Sequence, residues 1–303
     1  MRSIDWFRLL VLSAVWGASF IFMRVLAPVL GPVATADLRV AIGGMALLVY
    51  FAVIRFNPNW TTYWRQYLVI GAFNVGLPFL LFSYAAQHIP ASYSAIINAT
   101  TPLFGAVFAA IWLKDRLTRT KATGLLLGMA GVGTLTSGGM TAAASPAFAW
   151  AILACLLASA SYAGAGIYIK KFASDVNPIG SAGCSQLVAA VGLLPFWVAA
   201  PPNATVDTVI VFNMLCLGLL SSALGFVLYF RLIRDIGPAR AMMVAFLTPL
   251  FGIVWGIAFL GEALTAPVII GGGMIVASTI LILRRGMATR PQEAQAVPKS
   301  EAG

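Results

Sequence analysis

Of the 303 residues, 60% carry hydrophobic side chains and only 9% are charged, against roughly 25% charged in a soluble globular protein. With a mean hydropathy of +0.93, the chain has too little polar surface for water, so soluble enzymes and nucleic-acid binders are excluded and it reads as an integral membrane protein. The net charge of +10 is spread as single and paired basic residues between apolar runs, the pattern of loops on the cytoplasmic face of a bilayer.

A bilayer-crossing helix needs about 20 apolar residues, and the chain divides into ten such runs: 6–27, 34–55, 64–86, 90–113, 119–138, 147–170, 178–200, 207–230, 237–260 and 265–283. These runs are too long for the alternating strands of a barrel. Proline and glycine mark the joints, at Gly31-Pro32, Asn57-Pro58, Ile89-Pro90, Ser145-Pro146, Asn177-Pro178, Pro201-Pro202 and Gly237-Pro238. Arg2 and Arg8 before the first run would suit a signal peptide, but the sixth run copies the first with no charged segment ahead of it, so the first helix is kept. Ten crossings put both termini on one side. With that side cytoplasmic, all 19 basic residues except Arg24 and Arg39 fall inside. Residues 285–303, rich in Ala, Gln, Glu and Pro, read as a disordered cytoplasmic tail.

The chain also repeats itself. Thr101-Pro102-Leu103-Phe104-Gly105 recurs as Thr248-Pro249-Leu250-Phe251-Gly252, and Leu113-Lys114-Asp115-Arg116-Leu117-Thr118 aligns with Leu260-Gly261-Glu262-Ala263-Leu264-Thr265. Trp16 aligns with Tyr162 and Asn74 with Ser221. Residues 1–140 and 141–284 thus form two five-helix repeats. Five is odd, so the second copy enters from the opposite side, giving an all-α membrane protein of ten helices in two inverted repeats, an architecture of secondary transporters.

Trp16-Gly17, Arg39, the two Thr-Pro-Leu-Phe-Gly segments and the Lys114-to-Thr118 and Gly261-to-Thr265 runs together make residues 4–284 resemble the EamA branch of the drug/metabolite transporter superfamily. Within that branch the chain looks like the bacterial exporters of aromatic and other amino acids. The resemblance implies an inner-membrane exporter of amino acids and similar small metabolites, working by alternating access around a central cavity, functional as a monomer and without cofactor or metal. A broad drug or cationic-metabolite exporter of the same superfamily is the alternative. An integral membrane enzyme is the reading from another class, and lone His88 at a helix end supplies no nucleophile or metal cluster for it.

Candidate site residues follow from polarity and shape. Asn74, Asn98, Ser221 and Ser222 lie mid-helix, where a polar side chain faces a bundle interior or a neighbouring helix. Trp16 and Phe20 on the first helix, with Tyr162 on the sixth, form an aromatic wall able to stack a flat side chain, or simply a packing stripe. Tyr84, Tyr168 and Tyr229 read as interfacial anchors. Pro78, Pro102 and Pro249 are hinges or fixed kinks. Arg39 binds a substrate carboxylate or pairs with Asp37 to lock helix ends, the lock being preferred. His88 and Glu262 read as solvent-exposed helix ends. None of the nine acidic residues falls in the middle third of a proposed helix, so no buried acid relay is expected, and a cavity without fixed charge should select loosely.

The inverted repeat makes a topological prediction. Cysteines placed in the Lys114–Lys121 joint and beside Glu262 should label from opposite faces of the membrane; labelling from one face would end the inverted-repeat reading.

Overall fold

A computed structural model describes residues 2–137, 145–199 and 205–288. Among these the chain is helical and contains no strand. The boundary expected between repeats, at 140/141, lies outside the described residues.

Helix α1, Ser3–Val53, is bent back on itself at Gly31, whose backbone (φ 79, ψ 163) leaves the helical region. Pro32 disfavours a helical residue before it and has no N–H for the ladder, and only glycine adopts such angles without strain. The break therefore separates two arms, residues 3–30 and 32–53, each longer than the roughly 20 residues that span hydrocarbon. The other helices are α2 (Trp60–Ala86), α3 (Ala91–Trp112), α4 (Arg119–Ser137), α5 (Pro146–Phe172), α6 (Pro178–Ala199), α7 (Thr208–Ile236), α8 (Val244–Leu260) and α9 (Ala266–Ala288). Seven of them, α1, α2, α3, α5, α6, α7 and α9, are long and apolar enough to cross a membrane. Helix α9 runs to Ala288, past residue 285 where the tail was expected to begin; residues 289–303 lie outside the described residues.

Three helices are irregular in ways the hydropathy pattern did not indicate. Helices α2 and α7 each contain a π-helical stretch, Gly71–Gly76 and Cys216–Leu224. Helix α3 is interrupted at Ala99–Thr100, just ahead of Pro102. The second Thr-Pro copy behaves differently: Pro249 lies inside α8, and the chain instead breaks ahead of Val244, after a single turn at Pro238–Ala241.

Helix α1 occupies the centre, packed against α2, α6, α7 and α8. The largest buried cluster joins its first arm to α2, α3 and α5 through Phe20, Met23, Phe82, Ile96, Cys155 and Ala158. At the periphery α4 lies against α9 through small residues. A Cβ on Gly131 would come within 2.9 Å of the Gly271 carbonyl, and one on Gly271 within 2.7 Å of the Gly131 carbonyl, the close backbone approach typical of membrane helices. Large apolar side chains such as Val49, Met129, Trp150, Val191, Phe212 and Phe259 point outward, as expected where the solvent is lipid.

Gly31 carries a stability prediction. A Cβ there meets nothing within 4 Å, so Gly31→Ala should cost about 1–3 kcal/mol through backbone strain alone. Gly133→Ala in α4, also without a neighbour, should be neutral or stabilising by up to ~1 kcal/mol. Thermal unfolding in detergent compares the two; equal effects would refute the strained-joint account.

Candidate functional site

Where a helix passes from π back to α register, one carbonyl is skipped, and in hydrocarbon it must find another donor. In α7 the Gly225 N–H reaches Leu220 O, so the skipped acceptor is Ser221 O. The Trp16 indole N–H from α1 donates to it at 3.1 Å. Trp16 can approach because residue 225 is glycine: a Cβ there would lie 2.5 Å from the indole nitrogen. In α2 the Leu77 N–H reaches Ala72 O, and the next donor would be Pro78, which has none. Phe73 O accepts instead from the Ser161 hydroxyl of α5 at 2.5 Å. Pro78 thus leaves an acceptor that ties α2 to α5.

The break in α3 is satisfied in the same way. Pro102 offers no N–H to Asn98 O, which accepts from the Thr101 hydroxyl at 2.7 Å. Ile97 O accepts from Thr100 at 2.6 Å and from Ser159 of α5 at 3.2 Å. Ala99 O accepts from Thr279 of α9 at 2.7 Å. With its backbone neighbours engaged, the Asn98 side chain is left with a buried Oδ1 that has no partner.

These irregular segments border a cavity of about 550 Å³, a volume suited to one small organic molecule. Trp16, Phe20, Asn74, Asn98, Tyr162, Arg39 and Pro102 all line it. Ser221 and Ser222 do not. The Ser221 hydroxyl is turned to Val15 O at 3.2 Å, and Ser222 sits behind Arg39, accepting from its Nε at 3.1 Å. Pro78 and Pro249 shape the adjoining helices without reaching the cavity wall.

Several cavity residues had no place among the sequence candidates. Phe79 and Phe82 of α2 line it, as do Phe226 and Tyr229 of α7, and these pairs are 147 residues apart. The repeat offset was the signal that could have found them. Tyr229, expected at an interface, instead lies 5.2 Å from Trp16, centroid to centroid. Tyr162 stacks on Phe82 at 6.2 Å, and Phe20 meets the same ring edge-on at 5.4 Å.

Arg39 differs most from expectation. It is only 5% exposed and forms no ion pair with Asp37; among the described residues the ion pairs involve Arg2, Arg8 and Arg234 only. Residues two apart on a helix do not face each other. The guanidinium lies 3.6 Å over the Phe79 ring, with Nη1 3.6 Å from Met23 Sδ. Asp37 is itself buried, away from the cavity, and its Oδ1 has no partner. The cavity therefore holds a fixed charge after all.

At the end of the bundle that holds the Gly31 turn, polar contacts tie helix ends together. Arg24 donates to Ala86 O at 2.6 Å and Gln87 to Ala27 O at 3.1 Å. The Glu262 carboxylate accepts the Ala91 and Ser92 N–H groups at 2.5 and 3.0 Å. Glu262 is thus no free solvent group but the cap of α3, while His88 is exposed and lies edge-on to Tyr84. Toward the N-terminal end, where Arg8 pairs with Asp235 at 2.7 Å, the lining continues to Val176, Pro178, Ile233 and Met242.

The EamA-like transporter family matches twice, over residues 6–137 and 149–284. The chain belongs to this family. Its relatives in the family include YvbV, an uncharacterized transporter of Bacillus subtilis, 28% identical over 92% of this chain and 91% of its own. An uncharacterized transporter of Archaeoglobus fulgidus is 22% identical over 92% and 99%. A protein of Streptantibioticus cattleyicolor named "Probable terminal-alkyne amino-acid exporter" is 25% identical over 93% and 94%. A solved crystal structure matches with a TM-score of 0.64 at 16% identity, over 94% of this chain and 99% of that one, which bears on the fold alone. The family and these names make this a multi-pass membrane transporter, and the cavity between its helices is the candidate path for its substrate.

Proposed function

We propose that this EamA-family transporter exports amino acids and similar small metabolites across a bacterial-type inner membrane. It does so as a monomer, by alternating access between two inverted five-helix halves. Ten crossings follow if α1 counts as two, α4 and α8 count with the seven apolar spans, and both termini are cytoplasmic. The amino-acid part draws support from the Streptantibioticus cattleyicolor relative, whose name carries an amino-acid exporter.

The observation that carries the reading is that equivalent residues of the two repeats stand in unlike states around one cavity. The helix ends at Lys114 and Gly261 are alike: both adopt left-handed backbone, and the Asp115 and Glu262 N–H groups reach six residues back to Ala109 O and Gly256 O at 3.2 and 3.1 Å. Their carboxylates are not alike. Glu262 caps α3 and in this reading closes the cavity at that end, whereas Asp115 is exposed. The helix breaks ahead of the two Thr-Pro copies also differ, one falling directly before Thr101 and the other at Met242–Met243, four residues before Thr248. Equivalent positions in unlike local states are what a carrier needs whose halves exchange conformations. In the exchanged state Asp115 would take the sealing role at the N-terminal end.

Two measurements check this. In liposomes holding the purified protein, phenylalanine, tryptophan and threonine should cross unmodified. Trp16→Ala should slow the two aromatic substrates more than threonine, and Asn98→Leu should slow all three; normal flux in both folded variants would leave these residues as packing. Separately, Glu262→Gln should weaken the seal by about 1 kcal/mol, making a cysteine at position 101 react roughly fivefold faster with an impermeant maleimide from the sealed face. Unchanged labelling would take Glu262 out of the gate.

A further inference from the structure

We infer that Arg39 is the anion anchor of this cavity, and that the substrates it selects are small carboxylates, zwitterionic amino acids among them. The inference rests on the transport reading above and adds the group by which substrates are recognised.

Among the described residues, Arg39 is the only charged one lining the cavity. A guanidinium withdrawn from water is costly unless its charge and donors are met. The protein meets them in part. Phe79 presents its ring face at 3.6 Å, Ser222 accepts from Nε at 3.1 Å, and a methionine sulfur, a weak acceptor, stands 3.6 Å from Nη1. No carboxylate of the described residues pairs with it. Of the five N–H donors of a guanidinium, those on Nη2 have no acceptor in the protein, and Nη1 has only the sulfur. What remains at the cavity wall is the two-pronged Nη1/Nη2 edge, whose natural complement is the pair of oxygens of a carboxylate.

Asn98 also lines the cavity, so a neutral amide shares the space with the guanidinium. One unmet cationic fork beside a neutral amide, with Trp16, Phe82, Tyr162 and Tyr229 taking the apolar part, suits a small carboxylate with an apolar side chain, an α-amino acid among them. A lipophilic cation would meet Arg39 with like charge and find no acidic residue in the lining. Ser222 and Phe79 act here as positioning residues, holding the guanidinium by its Nε side and its face while the Nη edge stays open.

The test compares analogues of one shape. Purified protein in detergent is titrated with phenylalanine, 3-phenylpropionate, phenylalaninamide and phenethylamine, affinity being read from ligand-induced thermal stabilisation, and the same compounds are assayed for flux in liposomes. The two carboxylates should bind at least about tenfold more tightly than the amide and the amine. Arg39→Met should erase that difference, and Arg39→Lys, which keeps the charge but loses the fork, should retain only part of it. The comparison on the unaltered protein needs no variant, so it stays decisive even where Arg39→Met misfolds. Equal stabilisation by phenethylamine and phenylalanine would overturn the anchor while leaving transport standing. Carboxylate-dependent binding with no flux of any compound would uphold the anchor and overturn the transport reading. No stabilisation by either carboxylate would overturn the anchor directly.

Discussion

In hydrocarbon there is no water to take a hydrogen bond, so every backbone carbonyl released by an irregular helix must find a donor within the protein. That constraint organises the centre of this molecule. The carbonyls freed by π turns and prolines in α2, α3 and α7 are taken up by Trp16, Ser161, Ser159, Thr101 and Thr279. Most of these donors come from another helix. The same bonds that satisfy the backbone therefore fix which helices touch, and they hold apart the aromatic residues that bound the cavity.

The cost of burying a charge is the second organising fact. A guanidinium with one hydroxyl, one ring face and one sulfur for company is incompletely compensated. A group left in that condition at a cavity wall favours whatever ligand completes it. Glu262 is the contrast: two backbone N–H groups at the start of α3 satisfy it fully, and the positive end of that helix adds to the attraction. One charge is met by the protein's own backbone and the other is left incompletely paired.

Much of the fold was legible because lipid imposes a length on a helix and tolerates few charges. The run placed at 119–138 is the helix Arg119–Ser137, and that at 178–200 is Pro178–Ala199. Gly31-Pro32 announced the turn within α1, since proline bars the helical path just where glycine can leave it. The site was legible in part. Trp16, Phe20, Asn74, Asn98 and Tyr162 were picked out by polarity or ring size at mid-helix, and they line the cavity. Phe79, Phe82 and Phe226 were not, because a phenylalanine in an apolar run looks the same whether it faces lipid or substrate.

The sequence by itself determined the membrane, the helix spans and the duplication, all of which depend on which residues follow one another. It could not determine where Arg39, Ser221, Ser222 and Glu262 would point. Those directions depend on partners about 170 to 205 residues away in the chain and on a one-residue change of helical register in α7 that no hydropathy value records. Two copies of Thr-Pro-Leu-Phe-Gly, alike in every side chain, are helical in both places, yet the helix breaks directly before the first and four residues before the second, because their neighbours differ. Only the tertiary structure decides that, since a local segment has no means of sensing which end of the cavity is closed.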